Sequence, residues 1–107
     1  MRANPYYDPD KFDLETIGEI DWSSGSYEFD LTVVWRRKFD GRFVTADDAG
    51  CSCPVPFEGT GCEDLRLIGS LAEFQRELGL RGAENSDGHR TVEIAGLVER
   101  MHAAGAR

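Results

Sequence analysis

The stretch Tyr27-Glu28-Phe29-Asp30-Leu31-Thr32-Val33-Val34-Trp35-Arg36 decides the fold. Tyr27, Phe29, Leu31, Val33 and Trp35 alternate with Glu28, Asp30, Thr32, Val34 and Arg36, which is the side-chain period of a strand with one apolar face. Downstream, Asp40-Gly41 is a hairpin signal, because both central positions of a type I′ turn need positive φ. A two-residue turn there sets Phe39 opposite Arg42 and Arg37 opposite Val44, with a third strand over residues 42–45. Val44 then joins Trp35 and Phe39 on one face, and Phe43 joins Val34 on the other.

Upstream, Leu14, Thr16, Gly18, Ile20 and Trp22 alternate with Glu15, Ile17, Glu19 and Asp21, giving a first strand with one imperfect face and a turn at Ser23-Ser24-Gly25-Ser26. The opening residues 1–13, with Pro5, Pro9 and turn-forming Asn4 and Asp8, read as an extended or turning arm rather than a helix. Residues 46–63, with Pro54 and Pro56 among scattered glycines, read as a long Cys/Pro loop.

Leu67, Leu71, Phe74 and Leu78 then recur at helical spacing, Ser70 is placed to cap with Glu73 three residues on, and Gly79 follows the last apolar position. A helix is expected over 70–78. Ile94, Leu97, Val98 and Met101 form the stripe of a second helix that ends before Gly105. The sum is a single α+β domain: a three-stranded antiparallel meander followed by two C-terminal helices packed on one face. Its expected core sets Phe29, Leu31, Val33 and Trp35 against Leu71, Phe74, Leu78, Ile94, Leu97, Val98 and Met101. On that register Val33→Asp costs several kcal/mol and Thr32→Asp far less.

The chain has 107 residues and a net charge of −8, enough length for one core and a charge that opposes non-specific binding to nucleic-acid backbones. No apolar run is long enough to span a membrane and the start lacks a secretion signal, so a cytoplasmic location is expected. With three cysteines and no export signal, free thiols are expected rather than a disulfide framework.

No phosphate loop, nucleophile elbow or zinc-protease element is present, and Asp47, Asp48 and Glu58 around the cysteines oppose thiolate formation, so the chain reads as non-enzymatic and without a cofactor. One alternative is a zinc module in which Cys51, Cys53 and Cys62 share an ion with His89, His102 being a further candidate for the last ligand. Another is that the acids from Asp8 to Asp30 mimic nucleic acid and fill a basic groove on a partner, against their ordinary role as a solvated face. Arg36, Arg37, Lys38 and Arg42 interleave with Trp35, Phe39 and Phe43 as in some nucleic-acid readers, although a hairpin tip is commonly basic because it is solvated.

Candidate partner anchors are Tyr6, Tyr7 and Phe12 on the arm and Cys51, Cys53, Pro54, Pro56 and Phe57 on the loop. The competing role for these aromatics is to cover the sheet edge or its second face, where Val34 and Phe43 need covering.

The segments Asn4-Pro5-Tyr6-Tyr7-Asp8-Pro9-Asp10-Lys11-Phe12, Gly18-Glu19-Ile20-Asp21-Trp22, residues 27–36, and Gly50-Cys51-Ser52-Cys53-Pro54-Val55-Pro56-Phe57-Glu58 together resemble a family of short uncharacterised proteins encoded by phages of mycobacteria and related actinobacteria. The resemblance covers the first half of the chain. It implies a phage accessory protein, made in the host cytoplasm and acting by binding a host protein, and it carries no catalytic residue or cofactor with it.

Overall fold

A computed structural model describes residues 4–23, 28–51, 57, 64–84 and 90–106. Strand β1 is Leu14–Asp21, β2 Glu28–Arg37, β3 Phe43–Cys51 and β4 Arg66–Leu67, followed by helices α1, Leu71–Glu84, and α2, Arg90–Ala103. A 3₁₀ turn, Pro9–Phe12, precedes β1. The class is α+β as expected, but the antiparallel sheet has four strands in the order β1-β2-β3-β4, not three. Strand β4 pairs only Leu67 with Val44 and Arg66 with Thr45, and two residues are too few for alternation to be visible in a sequence. Strand β3 runs through Cys51, into the stretch expected to be loop.

The β2–β3 register differs from expectation by two residues, with Trp35 rather than Arg37 opposite Val44. Arg37 and Arg42 close the hairpin around Lys38-Phe39-Asp40-Gly41: the Arg37 N–H donates to Arg42 O at 2.7 Å and the Gly41 N–H to Arg37 O at 2.8 Å. Gly41 holds φ +74°, a conformation that favours glycine. A shift of two preserves side-chain parity, so Val44 still shares a face with Trp35, and Phe43 with Arg36 and Val34.

The core differs more. Val33, Val34 and Trp35 are all fully buried, because β2 is covered on both faces. The helices lie on the face of Val34 and Phe43, where Phe74, Leu78, Leu97 and Met101 join Ile20 and Trp22. Leu31, Val33 and Trp35, expected under the helices, instead form a second core with Leu14, Val44 and Phe57, closed by Tyr6, Phe12 and Leu65. The side chain of Phe29 lies outside the described set.

Polar chemistry suits this choice of face. The buried indole N–H of Trp35 needs an acceptor, and the carbonyl of Pro5 on the irregular arm supplies one at 3.0 Å, whereas helix carbonyls are already bonded within the helix.

The imperfect face of β1 is explained by a bulge at Ile17: Thr16 pairs with Trp35 but Gly18 with Val34. The extra residue transfers the alternation between faces, so Leu14 belongs to the second core while Ile20 and Trp22 face the helices.

Ser70 caps α1 as expected, its Oγ accepting the Glu73 N–H at 3.1 Å. The helix does not stop at Gly79 but continues to Glu84. A mid-helix glycine costs about 1 kcal/mol, and Arg81, two residues further, makes tertiary bonds that offset it. Helix α2 ends in a Schellman arrangement: the Ala106 N–H reaches Met101 O at 2.9 Å, the Gly105 N–H reaches His102 O at 3.0 Å, and Gly105 adopts φ +104°.

Candidate functional site

The β2–β3 hairpin end gathers exposed apolar and basic groups. Phe39 is 71% exposed, yet the Arg37 guanidinium lies 5.0 Å from its ring centroid and pairs with Asp40 at 2.5 Å. Asp40 Oδ1 also accepts the Arg42 N–H at 3.0 Å, and the bonds from Arg37 and Arg42 hold its carboxyl below the usual range. Lys38 is tied to the arm, its Nζ donating to Asp10 at 2.7 Å and its N–H to Asp13 O at 2.9 Å. That bond lowers the Asp10 carboxyl and raises the Lys38 ammonium. The tip thus carries a large, exposed apolar ring with the Arg37 guanidinium over it.

Beneath Phe39, a cleft of about 150 Å³ is lined by Phe12, Leu14, Arg37, Val44 and Leu65. On the opposite side of the hairpin, where β3 and β4 diverge, a larger groove of about 500 Å³ runs past Arg42, Phe43, Leu67, Ser70, Leu71 and Ala106. Leu67, 47% exposed, gives it an apolar wall.

The anchors proposed from sequence are divided by the fold. Phe57 is 1% exposed, stacked on Tyr6 at 5.5 Å and edge-on to Trp35 at 5.7 Å, and its N–H donates to Asp48 at 2.7 Å. Its ring therefore fills the second core instead of presenting itself to a partner, and its backbone holds φ +63°. Tyr6 is half-buried, its hydroxyl donating to the Glu19 carboxylate at 3.0 Å. Burial, reinforced by Glu19, pushes its pKa up to about 12. Phe12 packs against the second core, and Tyr7 remains exposed. These aromatics cover the face of Leu31, Val33 and Trp35, not that of Val34 and Phe43.

Cys51 ends β3 with its side chain outside the described set, and Cys53, Pro54, Pro56, Cys62 and His89 lie outside the described residues. The proposed zinc set falls there. Among the described residues no cluster of three or more His, Cys, Asp or Glu could hold a metal ion. His102 is exposed in the last turn of α2. Several candidate mimicry acids are engaged within the chain: Asp10 with Lys38, Glu19 with Tyr6, and Asp21 with the N–H and hydroxyl of Ser23 at 2.9 and 2.7 Å. No described helix is long and apolar enough to cross a membrane.

One polar cluster has no signature in the sequence. Arg81 on α1 reaches Asp30 on β2 at 2.5 Å, Asp47 on β3 at 2.9 Å and Thr32 Oγ1 at 3.2 Å, with its guanidinium 5.1 Å from the Trp22 ring centroid. Only the packing of α1 on the sheet brings these residues together, and the cluster acts as a clasp between layers. No curated protein and no solved structure matches the chain. A family model does match it over residues 3–107, and the chain belongs to that family, the domain of unknown function DUF7574.

Proposed function

We propose that this protein is a phage accessory protein that acts without catalysis, by binding a protein of the host cytoplasm through its β2–β3 hairpin end. The phage and host context rests on the sequence resemblance of the first half of the chain. The observation that supports the surface is Phe39, 71% exposed and braced by Arg37 over an apolar cleft. Aromatic and arginine side chains dominate interface energetics, and a braced side chain loses little rotamer entropy on binding. Tyr7 is a second exposed aromatic, on the neighbouring arm.

Affinity capture from an actinobacterial host lysate, run in parallel with the chain and with Phe39→Ser, tests this. Recovery of a specific protein by the chain and its loss with Phe39→Ser is the expected result. An identical set of proteins from both baits overturns the proposed surface, and turnover of a substrate with no specific partner overturns the binding role.

A further inference from the structure

The groove where β3 and β4 diverge differs in character from the rest of this acidic chain. Phe43, Leu67 and Leu71 form apolar parts of its walls, and among the described residues its only ionisable lining residue is Arg42. The other cations of the hairpin are occupied: Arg36 with Glu15 at 3.8 Å, Arg37 with Asp40 at 2.5 Å and Lys38 with Asp10 at 2.7 Å. Arg42 is exposed, and its guanidinium makes no close ion pair among the described residues, although its charge also acts on Asp40. Arg36 adds positive charge beside it, its guanidinium lying against Gly41, where a Cβ would stand 3.4 Å from Nη2.

The nearby carboxylates do not line the groove. Asp40 is bonded to Arg37 and to the Arg42 N–H, and Glu73 lines an adjoining small cleft that shares Ile68, Gly69 and Ser70 with the groove, its Oε2 standing 3.4 Å from where a Cβ on Gly69 would lie. In a chain with 20 acids and 12 bases, the described residues lining this mostly apolar groove thus include a cation and no acid. That combination complements an apolar side chain with a carboxylate next to it. A basic segment would meet Arg42 as a like charge, and a purely apolar one would leave it unused.

We propose that this groove binds an acidic-apolar segment of the partner protein, an apolar side chain entering against Leu67 and Leu71 while a neighbouring carboxylate meets Arg42. The inference rests on the binding role proposed above and deepens it by naming the chemistry recognised. Global repulsion between an acidic segment and a chain of net charge −8 makes the local match at Arg42 the source of selectivity rather than of fast encounter.

The test uses fluorescein-labelled peptides Gly-Glu-Leu-Glu-Gly, Gly-Lys-Leu-Lys-Gly and Gly-Glu-Ser-Glu-Gly, followed by anisotropy on the full chain. Amide shifts at Leu67, Ser70 and Leu71 locate the site. The Glu-Leu peptide should bind at least about tenfold more tightly than either control. Arg42→Glu should reverse the Glu-Leu over Lys-Leu preference, and Leu67→Ser should weaken binding of the Glu-Leu peptide. Phe39→Ser, outside the groove, should leave it unchanged.

Equal affinity for the Glu and Lys peptides, an unchanged preference in Arg42→Glu, or no binding of any peptide at millimolar concentration overturns the inference. The two proposals fail separately. Host-protein capture that depends on Phe39 without peptide binding leaves the binding role standing and removes the groove. Peptide binding with no captured partner does the reverse.

Discussion

The indole N–H of Trp22 donates to the hydroxyl of Thr32 at 2.8 Å, and that hydroxyl donates in turn to Asp47. Thr32 is 3% exposed beneath α1, on the face that alternation alone assigns to solvent. Thr32→Val, close in shape, should therefore cost about 1–3 kcal/mol by leaving the Trp22 N–H unpaired. Thr32→Asp should also destabilise, since it sets a carboxylate against Asp47, but less than Val33→Asp, because the Trp22 N–H and the Arg81 guanidinium stand within reach of it and the core around Val33 offers no such partner. Urea denaturation of the three variants checks this, and a Thr32→Asp variant as stable as the parent would contradict it.

Arg81 joins α1 to two strands through Asp30 and Asp47. Arg81→Ala should destabilise by about 1.5–3 kcal/mol, the range for hydrogen bonds to charged groups. Part of the loss should shrink in high salt, because all three side chains retain some solvent exposure. Arg81→Lys should recover only part of it, since an ammonium cannot span both carboxylates in the fork geometry of a guanidinium. Melting curves at low and high ionic strength read both effects.

Tyr6 has a pKa raised to about 12 from the ordinary tyrosine value of 10.0, chiefly by burial and then by its bond to Glu19. The folded state holds this proton more tightly than the unfolded chain. The associated stability is thus fully present below pH 10.0 and is lost as the pH rises towards about 12. Stability measured across that window should fall more steeply in the parent than in Tyr6→Phe, which has no proton to lose there. Parallel curves would show that Tyr6 titrates alike in both states.

Gly18 follows the bulge in β1 and faces α2. A Cβ there would sit 2.9 Å from Leu97 Cδ1 and 3.0 Å from Arg100 Nη1. Arg100 is exposed and can move, but Leu97 is fully buried. Gly18→Val should cost about 1–3 kcal/mol, the usual price of overpacking, and Gly18→Ala less. A double variant with Leu97→Ala should show a favourable coupling in a thermal cycle, because it removes the atom that the new side chain meets.

What the sequence determined by itself is local. Glu28 to Arg36 read as a strand because a period of two needs only adjacent residues. Ser70 as a cap and Gly105 as a stop were legible because capping is a contact within one turn. The parity of Phe43 and Val44 survived a wrong turn length for the same reason. The hairpin end was legible as basic and aromatic, but not as a cleft and a groove.

Only the tertiary structure decided which layer covers which face. Both faces of β2 are covered although only one is apolar along most of its length, and alternation separates two sets of side chains without saying whether helices or an arm will cover each. The choice is made by partners remote in sequence: Pro5 accepting the Trp35 N–H, Phe57 filling the second core, and Arg81 drawing α1 onto Asp30 and Asp47. The bulge at Ile17, which moves β1 from one core to the other, likewise follows from pairing with β2. Such contacts depend on chain segments meeting in space, and no periodicity along one segment encodes where the others will be.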